Sequence, residues 1–195
     1  MLEGLLVDLV PFGEAFRKNE PRWINSEAMF WGTAGDRPLH SKAAIERWHA
    51  ERAEREARTG SAMVLLGIRT KSGVPLGDIE LDELLPHHRL AMIGIGINEP
   101  DYWGGGYGTD ALLLIMEYAF NWLDFRKLWL STMGINIRMQ RAALKVGFHE
   151  EVRRRRLWLA DGQWTDDVMY GILLEEWPGR EAMVERLGLR AREDA

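Results

Sequence analysis

An apolar run, a proline and a cluster of glycines come together between Ile93 and Ala111, and no other stretch constrains the fold of this chain as tightly. Ile93-Gly94-Ile95-Gly96-Ile97 reads as a buried strand, Pro100 stops it, and Gly104, Gly105, Gly106 and Gly108 make a turn. Beyond the turn, Tyr107, Ala111, Leu114, Ile115, Tyr118, Ala119 and Trp122 fall on one continuous helical face. Strand, glycine turn and helix start together form a cradle for an anion. Glycines let the backbone come close, and the first N–H groups of a helix have no partner within it. Two common phosphate loops do not fit. A Walker loop closes on Gly-Lys-Ser/Thr, where this one reads Gly106-Tyr107-Gly108-Thr109. A dinucleotide fingerprint started at Gly104 requires a third glycine where Thr109 stands. A tight turn that holds nothing is the remaining alternative, and glycines so concentrated lose much unfolded-chain entropy for a turn alone.

At 195 residues with 46% hydrophobic content, the chain has the size and composition of one well-cored domain. We place that domain at residues 1–178 and a polar tail at 179–195. A net charge of −5 argues against a nucleic-acid partner, which a strongly basic surface would announce. The chain has no cysteine, which excludes disulfides and thiolate metal sites and suits the reducing cytosol. No apolar run approaches the roughly 20 residues of a membrane span. The start Met1-Leu2-Glu3-Gly4 lacks the basic segment of a signal peptide. His40, His49, His87, His88 and His149 show no metal-ligand spacing. The expectation is a cytoplasmic protein with neither metal, nucleic acid nor membrane as partner.

Periodicity predicts a strand over Leu5–Val10, a helix start at Glu14–Arg17 interrupted by Pro21, and a short apolar patch at Met29–Gly32. Ser41 is the expected N-cap of a helix Lys42–Arg58, striped by Ala44, Ile45, Trp48 and Ala53. Its charged residues Glu51, Arg52, Glu54, Arg55 and Glu56 make an ion-paired outer face. Strands follow at Met63–Arg69, Val74–Leu84 and Leu90–Asn98, the first two joined by a Lys71-Ser72-Gly73 turn. After the glycine turn and its helix come a strand Lys127–Met133, a helix Ile137–Val146 stopped by Gly147, and a hairpin Phe148–Leu174 turning at Ala160-Asp161-Gly162. Of the nine tryptophans, Trp48, Trp122 and Trp129 lie in periodic segments and are expected in the core. The basic run Arg153–Arg156 is expected to divide between solvent and carboxylate pairs. This order gives an α/β or α+β mixed sheet with helices on both faces.

The loop Tyr102-Trp103-Gly104-Gly105-Gly106-Tyr107-Gly108-Thr109-Asp110-Ala111 resembles the Y-W-G-K-G-Y-G-T-E-A loop of GNAT N-acetyltransferases, in particular the RimJ/RimL-like branch. It is a form of the superfamily's Q/R-x-x-G-x-G/A signature, with Trp103 at the Gln/Arg position. Asn136 and Arg138, followed by Gly147-Phe148, are similar to the family's N-x-R-A/S…G-F segment, although Met139 replaces a small residue. Asp161–Asp166 running into Tyr170 and Glu176-Trp177 is similar to the branch's closing hairpin. The resemblance covers about Leu5 to Trp177 and implies a mostly antiparallel GNAT-like sheet. It also implies acetyl-coenzyme A as cosubstrate, bound by Trp103, Gly104, Gly105, Gly106, Tyr107, Gly108 and Thr109. Asn136 would contact the same molecule, and backbone N–H groups near Ile97 and Asn98 would serve as oxyanion donors.

The implied reaction is acetyl transfer to a primary amine, of a small molecule or a peptide, by direct attack in a ternary complex. It needs a neutral amine, an oxyanion donor and a proton for the leaving thiolate. Relatives often carry Glu at Met92 and Tyr at Ala143, and here both positions are apolar. Glu80, which shares a strand face with Asp78, and Glu99 at the mouth of the loop are the substitute bases. For both, the competing reading is a solvated carboxylate. Tyr102, Tyr107 and Tyr170 are the candidate acids. Positioning alone can lower the barrier by about 7 kcal/mol or more. Without a base, the alternative is a non-catalytic acyl-coenzyme A sensor or interaction module on the same fold. A homodimer through Trp177, Met183 and Leu187 is a further expectation, and it requires them to be exposed.

Overall fold

The structure, a computed structural model, describes residues 1–37, 39–59 and 64–192. In chain order the elements are β1 (Leu2–Glu3), β2 (Val7–Pro11), α1 (Glu14–Arg17), α2 (Glu20–Ile24), α3 (Glu27–Gly32), α4 (Lys42–Thr59), β3 (Val64–Thr70), β4 (Pro75–Leu85) and β5 (Leu90–Ile97). There follow α5 (Tyr107–Glu117), β6 (Lys127–Met133), α6 (Ile137–Lys145), β7 (His149–Ala160), β8 (Gln163–Leu173) and α7 (Arg180–Leu187). A single 8-stranded sheet in the order β1-β2-β3-β4-β5-β6-β8-β7 carries them. Every neighbouring pair is antiparallel except β5 and β6.

That exception shapes the molecule. The parallel ladder joins Leu90, Ala91 and Met92 to Lys127, Leu128 and Trp129, and then stops. β5 stays paired with β4 as far as Ile97, and β6 stays paired with β8 as far as Met133. Each half of the sheet is therefore satisfied on its outer side while the two inner edges part. The gap opens toward the glycine turn.

α5 packs against β2 and β5. Leu112, Leu113, Ile115 and Met116 are all fully buried, so the helix is covered on every side rather than along one stripe. Asp110 is buried with it. Its carboxylate accepts the N–H groups of Leu6 (2.7 Å) and Val7 (3.1 Å), and Arg180 of α7 approaches its other oxygen at 3.4 Å. The start of the chain and its last helix thus meet on one carboxylate of the central helix.

Several local expectations are met. The Ser41 hydroxyl accepts the N–H of Ala44 at the head of α4, and Asp161 and Gly162 both take left-handed backbone in the β7–β8 turn. Arg153 pairs with Glu150 and Asp166, and Arg154 with Asp167, which accounts for half of the basic run. Others are corrected. Pro21 sits in the first turn of α2, where a missing N–H costs nothing, and so helps to start a helix rather than interrupt one. Trp122 is 77% exposed, because the helix widens to a π turn over Tyr118–Trp122 and rotates the expected face away from the core. Trp48 is 52% exposed at the cavity rim and Trp129 is half-buried. Trp177 and Met183 are buried and Leu187 is half-buried, packed against the core from the end and inner face of α7, so the exposed apolar residues expected there are turned inward. The expected strand start at Met63 lies outside the described residues, as do the side chains of Arg52, Arg55 and Glu56.

Candidate active site

Where β5 and β6 part, a cavity of about 1120 Å³ opens, lined by both strands, the glycine turn, β4, α2, α3, α6 and the chain after α7. Its size exceeds the roughly 300–1,000 Å³ of an ordinary ligand pocket, leaving room for one long or two small molecules.

The glycine turn forms one wall. Gly104 (φ 80°) and Gly106 (φ 92°) take left-handed backbone that a side chain would resist. Gly106 caps α5 without a side chain, and the first bond that closes the helix is Asp110 N–H to Gly106 O at 2.9 Å. The N–H groups of Tyr107, Gly108 and Thr109 consequently have no acceptor among the described residues. The turn is braced by Trp103, whose Nε1 donates to Ile97 O at 2.6 Å and whose ring lies under the Arg138 guanidinium, 3.7 Å from its centroid. Arg138 also stands over Trp31 at 5.3 Å. Partial burial lowers its pKa, but a guanidinium remains charged throughout the working range. Of the expected loop residues, Trp103, Gly104, Gly105, Gly106, Gly108 and Thr109 reach the cavity wall, whereas the Tyr107 side chain turns into the core against Tyr102.

The end of β5 corrects one expectation. Asn98 does line the cavity, but its N–H donates to Leu76 O at 2.7 Å and is not open to a ligand. Its side chain donates to Asp78 at 3.1 Å. Because backbone groups alternate across an antiparallel strand, that bond turns the N–H groups of Ile97 and Ile95 to the other edge, toward the gap beyond the last β5–β6 pair. The N–H groups that face the gap are therefore those of Ile95 and Ile97, not that of Asn98.

The two candidate bases differ in kind. Glu80 stands opposite Gly94 on the cavity face of β4, between Asp78 and Asp82, while Ile79 and Leu81 on the other face are buried. A methyl group on Gly94 would lie 2.6 Å from Glu80 Oε1, so the carboxylate covers that glycine. Glu99 is absent from the cavity wall. The Arg22 guanidinium clasps it through both nitrogens, and Trp23 Nε1 donates to it at 2.9 Å. The bonds from Arg22 outweigh the effect of burial and, with Trp23, hold its carboxyl below the usual range, which makes it a poor base and a good strut between α2 and the loop. Among the tyrosines, Tyr102 lines the cavity; Tyr170 is buried with its hydroxyl donating to Gln140 at 3.2 Å. Met92 is on the wall, and Ala143 is fully buried.

Asn136 does two things at once. Its Oδ1 accepts the N–H of Met139 at 3.2 Å and caps α6, while its amide nitrogen has no partner among the described residues and the residue lines the cavity. Sequence reasoning missed two other groups. Glu20 and His49, with His49 Nε2 2.8 and 2.9 Å from the two carboxylate oxygens, form a pair on the wall that joins α2 to α4. Arg141 and Lys145 line the same cavity as Arg138, and their spacing along α6 was a readable signal. Arg190 and Arg192 add to them from beyond α7. The cavity is thus acidic beside β4 and α2 and basic beside α6 and the end of α7. Among the described residues no three potential ligands come together for a metal, and no helix is long and apolar enough to cross a membrane.

The pattern of the family described as Acetyltransferase (GNAT) domain matches residues 14–149. The N-acetyltransferase YnaD of Bacillus subtilis (strain 168), uncharacterized in its own right, is 30% identical over 78 residues, 40% of this chain and 46% of that protein. The spermidine N(1)-acetyltransferase of Escherichia coli (strain K12) is 30% identical over 105 residues, 54% of this chain and 56% of that protein. The chain spans about half the length of the curated relatives it matches. In fold it is similar to a spermidine N-acetyltransferase from Vibrio cholerae in complex with CoA and spermine, with a TM-score of 0.76 at 18% identity, covering 87% of this chain and 96% of that one. A GCN5-related N-acetyltransferase from Brucella melitensis gives a TM-score of 0.72 at 23% identity, covering 95% and 84%. With more than half of its length matched by the family pattern, the chain belongs to the GNAT family of acetyltransferases.

Proposed function

We propose that the protein transfers the acetyl group of acetyl-coenzyme A to a primary amine of a small cationic molecule. One observation carries the reading: a helix start with three N–H groups that have no acceptor among the described residues, and the strand edge left where β5 and β6 part, share one cavity whose opposite wall is acidic. The fit of the cosubstrate rests on this chain's own groups. The N–H groups of Tyr107, Gly108 and Thr109 suit a pyrophosphate, the cations of α6 suit its charge, and the long cavity suits its reach. Acetyl-coenzyme A supplies an activated acyl group as a thioester.

The residues then divide the remaining work. Glu80 takes the proton of the incoming ammonium, Ile95 and Ile97 N–H polarise the acyl oxygen, and Tyr102 returns a proton to the departing thiolate. Glu99, pinned by Arg22, stays out of proton transfer. Asp78, Asp82 and Glu20 draw in a cationic acceptor, which favours a polyamine-like amine over a peptide N-terminus. The spermidine acetyltransferase of Escherichia coli supports that choice. On its Tyr102–Ala111 loop we assign the chain to the RimJ/RimL-like branch, and we extend the catalytic domain beyond the expected boundary at 178 to take in α7, whose Met183 and the following Leu189 pack in the core.

The test is thiol release from acetyl-coenzyme A across a panel of diamines, polyamines, aminoglycosides and peptides. Release with cationic small amines supports the proposal. Coenzyme A binding in calorimetry without release from any amine would favour the sensor reading, to which Met92 and the buried Ala143 lend themselves.

A further inference from the structure

We propose that the chain after α7 is a phosphate clamp, in which Arg190 and Arg192 hold the 3′-phosphate of coenzyme A. This rests on the reading of the cavity as an acetyl-coenzyme A site and assigns a role to a segment outside the glycine loop.

The segment is built into place. α7 ends at Gly188 in left-handed backbone (φ 60°), with Gly188 N–H bonded to Glu185 O at 3.0 Å and Leu189 N–H to Val184 O at 3.1 Å. That turn folds Leu189 back onto the glycine loop, where its methyl lies 3.4 Å from the place a side chain on Gly106 would begin. Leu189 is buried there, and α7 is moored to α5 by Arg180 and Asp110. Arg190 follows at once, its Cα about 3.8 Å from that of Leu189. Both Arg190 and Arg192 line the cavity and are exposed.

Charge points the same way. The chain carries 30 acidic and 25 basic residues, and 16 of the ion pairs found among the described residues occupy many of the bases elsewhere. Arg138, Arg141, Lys145, Arg190 and Arg192 take part in none of them, and all line this cavity. Cations with no ion-pair partner among the described residues, gathered in one cleft of an acidic protein, fit a polyanion. The backbone N–H groups of the loop suit the pyrophosphate, whose charge is spread along a chain. A phosphate monoester concentrates about −1.5 to −2 on three oxygens and is matched by the bidentate fork of arginine. Arg138 is already stacked on Trp103, which leaves the pair beside Gly106 for that group.

Calorimetry with coenzyme A and 3′-dephospho-coenzyme A, on the wild type and on R190A/R192A, separates the possibilities. The wild type should bind coenzyme A at least tenfold more tightly than the dephospho form. R190A/R192A should lose that preference and bind the dephospho form as the wild type does, with an unchanged melting temperature. Persistence of the preference, an equal loss for both ligands, or its removal by R141A/K145A instead would overturn the clamp. If the wild type binds both ligands equally, the acetyl-coenzyme A reading stands and the clamp falls. If it binds neither, both fall.

Discussion

The guanidinium of Arg138, on α6, lies 3.7 Å from the centre of the Trp103 indole, so a cation from one side of the cavity rests on a ring from the other. The same indole donates its N–H to Ile97 O, which fixes the glycine turn against the end of β5. A cation–π contact of this kind contributes about 0.5–2 kcal/mol. W103A should therefore weaken coenzyme A binding about tenfold with little change in folding, as calorimetry and thermal melts would measure. W103F keeps a ring for Arg138 but loses the bond to Ile97, and should fall between. An unchanged affinity in W103A would remove the bracing role.

Glu80 and Gly94 allow the proton-transfer assignment to be probed from both strands. E80Q should lower kcat about 10²- to 10⁴-fold, the usual contribution of a general base, while leaving the affinity for coenzyme A near that of the wild type. G94A should reproduce part of that loss, since the added methyl would meet Glu80 Oε1 at 2.6 Å and push the carboxylate aside. A flexible side chain yields easily, so the melting temperature should hardly move. Full activity in both variants would exclude Glu80 as the base.

Asp167 gives a pH dependence of stability. Burial pushes its pKa up, but Ser131, Trp158 and Arg154 outweigh that and hold the carboxyl below the usual range. A depressed folded pKa contributes stability that is present above the unfolded value of about 3.9 and lost as pH falls through the folded value. Chemical denaturation of the wild type should therefore steepen its loss of stability below about pH 4. D167N should be about 2–4 kcal/mol less stable at neutral pH and show a shallower acid limb. Parallel curves for the two proteins would contradict the linkage.

Asp110 carries no chemistry in this reading, and its removal should be felt in folding alone. D110A strands the N–H groups of Leu6 and Val7, which both donate to this carboxylate. Each such orphan costs about 1–3 kcal/mol, so a loss of about 3 kcal/mol is expected in urea denaturation, larger than that of R180A.

Most of the scaffold was legible because its signals are local. Ser41 before a helical stripe, Gly147 after one, and Asp161-Gly162 between alternating runs each carry their own backbone chemistry. The strand Lys127–Met133 has the bounds read from the sequence. The glycine turn was legible for the same reason, since its geometry is set by residues next to one another. What failed was non-local. Nothing near Trp122 in sequence announces a π turn, and nothing in Asn98 shows that Leu76 will claim its N–H. The tether of Glu99 to Arg22, the Glu20–His49 pair and the return of Arg190 to the loop all join residues far apart along the chain. Side-chain spacing along α6 was available for Arg141 and Lys145, but only the fold says what they face.

The Asp110 carboxylate also has a consequence for the order in which the molecule assembles. It binds Leu6 across 104 residues and Arg180 across 70, so the contacts that close the sheet edge and seat the last helix are among the most remote in the sequence. Closing such long loops must precede the contacts that reward it, which slows folding and leaves the early chain waiting. On a ribosome, β1 and β2 emerge before α5 and lack their acceptor until it has been made, and α7 follows later still. The β1–β2 hairpin should therefore be among the late-protected segments in pulsed hydrogen exchange, although it is synthesised before the helix that holds it.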